Sequence, residues 1–447
     1  MRLDKEYPLL EAVQRTVTVW IYKFIDRPTD VYSGISPLIR FNFFLGLAPY
    51  RLKKSLTNNL MIYHSKWANL CSFVVVLLNI AVILVNMEVG YSEKADQDFK
   101  QKLRYYQEVG AGVLTLLGVF CNFVYSKKMM QIFPNIQGID ESMKVLFIWV
   151  DHSIVQVNII ISLFLNVVYM LLISCWIAME YLEYVPSVLL SNHHAFVVAN
   201  LLIPYCIVII METQYYHYLS LVHSRYKLLN DYLMTLLPTE NRHKGWTEET
   251  ITKLPEPMKN KEELAKKILS ACDPVFIVDH IAALHIRLTD TAYLINKAFA
   301  IQLLIKVAIT FVSIVSALYF IAIHFSKANH GDLDILFVVW ATSNALEVLV
   351  TVHVTSQTCD EANNCPRILH KIRNHSNNED LQEIIEIYSL QMYHNRLIFT
   401  AIGLFPLDYT LLYSMVAGMT TYLVILIQFN PQDFSMNMNF TTRNITM

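Results

Sequence analysis

The chain has 447 residues, of which 54% are hydrophobic and 16% charged, with a formal net charge of −2. Soluble domains carry about 25% charged residues, so this composition excludes an ordinary soluble domain and points to a polytopic membrane protein with a modest soluble part. The near-neutral balance supplies no field for a nucleic acid, and the 11 glycines form no phosphate-cradling loop.

Residues 1–66 mix charge with short apolar bursts and read as cytosolic and interfacial helices. No basic-then-apolar cleavable leader is present, so the first span acts as its own signal. Seven apolar runs are long enough to cross a bilayer, at about 20 residues per 30 Å of hydrocarbon. They are 67–87, 103–124, 154–178, 195–219, 300–324, 335–355 and 410–429. The second and sixth are the least clean, because they carry Glu108 and Glu347. The N-terminal segment with the second, fourth and sixth loops holds 28 Lys and Arg, and the remaining loops with the tail hold 5. That bias puts the first group in the cytosol. The expected fold is an all-α membrane protein with seven transmembrane helices, a cytosolic N-terminus, an extracellular C-terminus and a helical cytosolic base. This is the inverse of a G-protein-coupled receptor.

Within that frame, 67–356 reads as a six-helix transmembrane bundle with cytosolic helical extensions over 215–234 and 278–297. A charged, Pro-bearing linker at 237–272 separates those extensions. The segment 357–409 reads as cytosolic anchor helices. There Leu381, Ile384, Ile385, Tyr388 and Met392 repeat at helical spacing behind an N-cap at Asn378. The last span, 410–429, follows Pro406, and 430–447 is an extracellular tail. The tail carries two glycosylation sequons, at Asn439 and Asn444; a third, at Asn374, falls in a cytosolic loop and stays unmodified under this topology.

No catalytic constellation is present, so no enzyme and no cofactor is expected. Of seven cysteines, four fall in apolar runs and three in cytosolic segments, which gives no disulfide framework. Cys359 and Cys365 have no second pair with which to hold zinc, and the adjacent His193 and His194 cannot share a helix face. Lys306 lies near the cytosolic end of the fifth run and reads either as a snorkelling base or as a partner of Glu347. The outer halves of the spans bring aromatic bodies with a few directed polar groups: Tyr169, Asn200, Ser316, Tyr319 and Trp340. Such a set fits a small-molecule pocket, and it fits core packing or an interfacial aromatic belt as well.

In the last run, successive residues turn by about 100°, and Ser414, Ala417, Thr421, Val424 and Gln428 share one face. A buried amide facing lipid would cost several kcal/mol, so Gln428 faces protein or water. The stripe is either a close helix–helix contact through small residues or the wall of an aqueous pore.

Thr421 to Phe429 match, at every fixed position, the TYhhhhhQF signature of the insect gustatory receptor family, where h is apolar. Gly403-Leu404-Phe405-Pro406-Leu407-Asp408 resembles that family's glycine-leucine-phenylalanine-x-leucine-aspartate run. Tyr388-Ser389-Leu390-Gln391 resembles its S-L-Q element, and Leu45 to Tyr50 resemble its N-terminal G-L-x-P. The resemblance implies a ligand-gated cation channel, a homotetramer or a hetero-oligomer, in the plasma membrane of sensory neurons. A small-molecule tastant and membrane lipids would be its partners. By motif position, Gln428 and Phe429 would form the outer gate, Val424, Thr421 and Ile425 would line the pore, and Tyr422 would lie in the wall between neighbouring subunits. Asp433 and Asp408 are candidate acids at the pore mouths. Leu423 stands where the sugar-receptor branch commonly carries glutamate, a departure from that branch. A seven-span receptor signalling through a G protein, and a co-subunit without its own ligand, are the alternatives.

Overall fold

The computed structural model describes residues 27–48, 50–54, 60–92, 99–184, 193–237, 273–326 and 335–429. Within these, the side chains of 85–92, 99–109, 174–184, 193–203 and 335–337 and a few single positions are not described. The linker past Leu237 and the tail with Asn439 and Asn444 therefore lie outside the described residues.

Ten helices and one hairpin appear among the described residues. In chain order they are α1 (Val31–Phe44), β1 (Tyr50–Lys54), β2 (Leu60–His64), α2 (Lys66–Ser92), α3 (Phe99–Val124), α4 (Ser126–Val145) and α5 (His152–Tyr184). Then come α6 (His193–Thr235), α7 (Pro274–Ser326), α8 (Ile335–His375), α9 (Glu379–His394) and α10 (Tyr409–Phe429). α6, α7 and α8 pack on one another along their lengths; α2, α3 and α5 close the upper bundle, and α4 and α9 flank the base.

The hairpin corrects the all-helical expectation for residues 1–66. Tyr50 pairs with His64 and Lys54 with Leu60, antiparallel. Leu52, Leu60 and Ile62 turn inward while Lys53, Met61 and Tyr63 are exposed, a period of two that only a strand can satisfy. Before it, α1 starts on a reciprocal cap: Ser33 N–H donates to Asp30 Oδ1 at 2.7 Å and Asp30 N–H donates to Ser33 Oγ at 3.1 Å. Gly46, at φ +71°, ends the segment and lets the chain lie on α2, where a Cβ would meet Ser72 Cα at 2.9 Å.

Among the described residues, three helices are long and apolar enough to cross a membrane: His152–Ile173, Pro274–Ile323 and Tyr409–Phe429, with shorter apolar stretches at Lys66–Ala81 and Gly112–Val124. α6 and α8 do not reach that standard among the described residues. Each carries a glutamate in its apolar part, Glu212 and Glu347, and each runs on into the polar base.

The base owes its cohesion to buried polar pairs as well as to apolar packing. Arg225 on α6 makes a two-pronged contact with Asp140 on α4, at 2.9 and 2.8 Å, with both residues almost wholly buried. Tyr226 shares a hydroxyl bond with Thr289 at 2.8 Å, and Asn230 donates to the Glu361 carbonyl at 2.7 Å. Cys365 is buried in the same core, and burial pushes its thiol up to about 12. His285 bonds the Ala362 carbonyl through Nε2 at 2.9 Å. Burial outweighs that bond and holds the imidazole neutral down to about 4.

The unfolded imidazole takes its proton near 6.5, so between these two values the unfolded chain binds more protons and stability is lost as pH falls. Its contribution is up to about 1.4 kcal/mol per pH unit. Melting curves of the purified receptor between pH 7 and pH 5 should shift downward in acid, and His285→Gln should reduce the slope.

Candidate functional site: the last helix and the polar groups behind it

α10 begins where a tight turn ends. Leu407 N–H donates to Phe399 O at 2.9 Å and Ala401 N–H to Phe405 O at 3.1 Å. Between them Ile402 and Gly403 sit at φ 54° and 75°. A side chain added at Gly403 would meet nothing, so the glycine serves the left-handed backbone alone. Asp408 then accepts from Thr410 N–H at 2.9 Å and from the Thr410 hydroxyl at 2.5 Å. The aspartate expected at the inner pore mouth is therefore held as the cap of α10, a use its two-residue spacing from Thr410 encodes. The Gly403–Asp408 run is thus a device for turning the chain and starting the last helix.

α10 is buried on one side only. Leu411, Met415 and Met419 are its buried residues, one above the other at i, i+4 and i+8. Gly418 lets α7 approach, because a Cβ there would stand 3.1 Å from Phe311 Cε2. The Phe311 ring meets Tyr422 edge to face, with centroids 5.8 Å apart. Higher up, Leu423 and Leu426 pack on a buried cluster of Ala317, Tyr319, Phe320 and Ala341.

The opposite face is bare in the single chain. Ser414, Ala417, Thr421, Val424 and Gln428 are all exposed, as are Ile425 and Phe429, the last at 81%. Ser414 and Thr421 return their hydroxyls to Thr410 O and Ala417 O, both at 3.0 Å, which leaves a smooth, weakly polar surface. Tyr422 is 55% exposed, so only one side of its ring is used within the chain.

Of the pocket candidates, Tyr169 on α5 shares a short hydroxyl bond with Ser343 on α8. Ser316 is buried and donates to Val312 O of its own helix at 2.6 Å. Tyr319 is fully buried in the cluster beneath α10, so it faces the last helix and α8. Asn200 and Trp340 lie on α6 and α8, but their side chains are outside the described residues.

One turn along α8 from Ser343 lies a charge cluster that sequence reasoning grasped only in part. Lys306 contacts Glu347 at 2.5 Å, the expected partner, and also Glu212 of α6 at 2.6 Å. The three side chains are 15, 22 and 20% exposed and tie α6, α7 and α8 together. Glu212 was missed because its partner lies 94 positions away; its signal was a lone glutamate in an apolar run. Phe311 was missed too, having nothing but size to mark it.

The 7tm Chemosensory receptor family model matches residues 35–433. Gustatory receptor 28a of Drosophila melanogaster is 22% identical over 95% of this chain and 97% of its own length. Gustatory receptor 2a of the same fly is 24% identical over 90% of this chain and 97% of its own. Among solved structures, the insect olfactory receptor OR5 from Machilis hrabei superposes with a TM-score of 0.61 at 11% identity, covering 92% of this chain and all of that one. Its complex with eugenol gives 0.59 at 12% identity, over 93% and all of the two chains. At these identities the two structures speak for the fold. The family is one of membrane-embedded receptors and not of enzymes, and with the TYhhhhhQF signature on α10 the relatives leave one assignment: this chain belongs to the 7tm chemosensory receptor family, among the insect gustatory receptors.

Proposed function

We propose that the protein is a ligand-gated, non-selective cation channel of a sensory-neuron plasma membrane, assembled as a tetramer of this chain and opened by a small organic tastant. The observation that carries the reading is the bare face of α10. A helix buried on one side in its own chain leaves Ser414, Ala417, Thr421, Val424 and Gln428 uncovered. Four such faces around an axis make a weakly polar, uncharged pore, with Gln428 and Phe429 at its outer constriction and Tyr422 toward the neighbouring subunit. α2, α3, α5, α6, α7, α8 and α10 are the seven spans, and the 28-to-5 loop bias sets the N-terminus inside and the C-terminus outside. The glutamates in α6 and α8 fit this assignment, because both pair with Lys306 within the bundle.

The tastant binds in the outer half of the bundle, where Tyr169 and Ser343 meet; Asn200, Ser316 and Trp340 are further candidates. A ligand that prefers the open arrangement shifts the population by its difference in affinity, on the order of 1–3 kcal/mol per site. Movement of α7 and α8 reaches α10 through Phe311 and the Tyr319 cluster. Olfactory receptor OR5 was solved with eugenol, which supports a small organic ligand here. Leu423, in place of the sugar branch's glutamate, argues for a ligand other than a simple sugar.

Expression in cultured cells with calcium imaging across a tastant panel, followed by patch recording, tests this. Gln428→Ala and Val424→Ala should change unitary conductance or cation selectivity several-fold without changing surface expression. Currents indifferent to changes at 424, 428 and 429 would refute the pore assignment. A C-terminal tag found in the cytosol would refute the topology and favour a G-protein-coupled receptor.

A further inference from the structure

From Val31 to Met87 the chain contains Arg40, Arg51, Lys53, Lys54 and Lys66 and not one aspartate or glutamate. The β1–β2 hairpin gathers part of this charge on one face. Arg51 stands opposite Tyr63 and Lys53 opposite Met61 in the register, and Lys53, Met61 and Tyr63 are all exposed. The Arg51 guanidinium lies over the Phe43 ring, 3.9 Å from its centroid. Beside that ring Phe44 is 76% exposed, and two residues past β2 the exposed Lys66 and the 67% exposed Trp67 open α2. Arg40, Arg51, Lys53 and Lys66 form no ion pair with a described acid. The nearest capping acid, Asp30, is at the far end of α1.

The surface thus combines cations that have no acidic partner among the described residues with tyrosine, tryptophan, phenylalanine and methionine, and it stands at the foot of an apolar helix, Lys66–Ala81. Aromatic residues settle at the headgroup level of a bilayer, and basic clusters just cytosolic of a span attract anionic lipid. We infer that the outer face of the β1–β2 hairpin, with Lys66 and Trp67, is a docking surface for anionic phospholipid headgroups of the inner leaflet. The lysines meet the phosphates, while Tyr63, Trp67, Met61 and Phe44 enter the headgroup–acyl boundary. The inference rests on the cytosolic N-terminus proposed above.

The test uses the full-length receptor in detergent, incubated with equal amounts of phosphatidylcholine and phosphatidylserine. Bound lipid is counted by mass spectrometry after gel filtration. Phosphatidylserine should be retained in preference, and each basic residue near an anionic surface is worth about fivefold. Lys53→Gln with Lys66→Gln should cut the enrichment by about an order of magnitude or more, while Lys53→Arg with Lys66→Arg should keep it. Raising the salt should weaken it in the unaltered receptor, a measurement that does not depend on any variant folding. Equal retention of both lipids, or enrichment untouched by the glutamine pair and by salt, overturns the assignment. A separate arm labels Lys53→Cys with a membrane-impermeant maleimide. Labelling only after permeabilisation supports the inner leaflet, and labelling in intact cells overturns the orientation itself, whatever the lipid counts.

Discussion

Arg225→Met should lower the stability of the receptor by about 3–5 kcal/mol, because it leaves Asp140 as an uncompensated charge in a closed core. Both partners are at most 2% exposed and share two hydrogen bonds, so neither water nor another cation can step in. Arg225 also donates to the Leu221 carbonyl at 3.1 Å and to Ser224 Oγ at 3.0 Å. His152, 3.7 Å from Asp140, is no substitute: burial and the nearby arginine both press its imidazole toward the neutral form. Removing both charges, as Arg225→Met with Asp140→Leu, should recover most of the loss, since an apolar pair of similar volume is often as good as a buried ion pair. Thermal unfolding in detergent, followed by gel filtration, measures all three forms. If the single variant is as stable as the parent, Asp140 is solvated and the account of the base is wrong.

Lys306→Met should have an effect of similar size in the membrane bundle. It strips the shared cation from Glu212 and Glu347 and sets two carboxylates facing each other among apolar helices. The expected loss is again about 3–5 kcal/mol, visible as a collapse in surface expression. Glu347→Gln should be far milder, because the Lys306–Glu212 pair survives and an amide can still accept from the ammonium. Glu212→Gln should behave likewise. A Lys306→Met receptor that reaches the surface in normal amounts would mean that the three groups are not held together in the membrane.

These two clusters also mark what a sequence can and cannot disclose. The apolar runs, the loop bias and the signature on α10 are written in short windows, so composition and motif reveal them directly. Lys306 and Glu347 invited pairing because a lone base and a lone acid in apolar runs each need a partner. Glu212 offered the same signal in a cleaner run, yet only the packing of α6 on α7 assigns it. Arg225 and Asp140 lay in segments already rich in charge, where nothing singled them out. The hairpin was hidden because five residues per strand leave a period of two too little length to stand out between charged neighbours. Tyr319 shows a different limit: an aromatic with a polar tip suits a pocket and a core equally well, and only the fold shows that it is buried against the last helix.

α7 runs for 53 residues from Pro274 to Ser326 with no interior proline. At 1.5 Å per residue it is a stiff rod about 80 Å long. Lys306 pins it off centre, with about 48 Å on the base side and about 30 Å toward the outer end. Such a rod acts as an unequal lever. A tilt of about 5° about the pin would carry its outer end by roughly 3 Å and its far end in the base by roughly 4 Å. Under the proposed function, a ligand in the upper bundle would therefore be felt at the far end of the base, amplified and with its direction reversed.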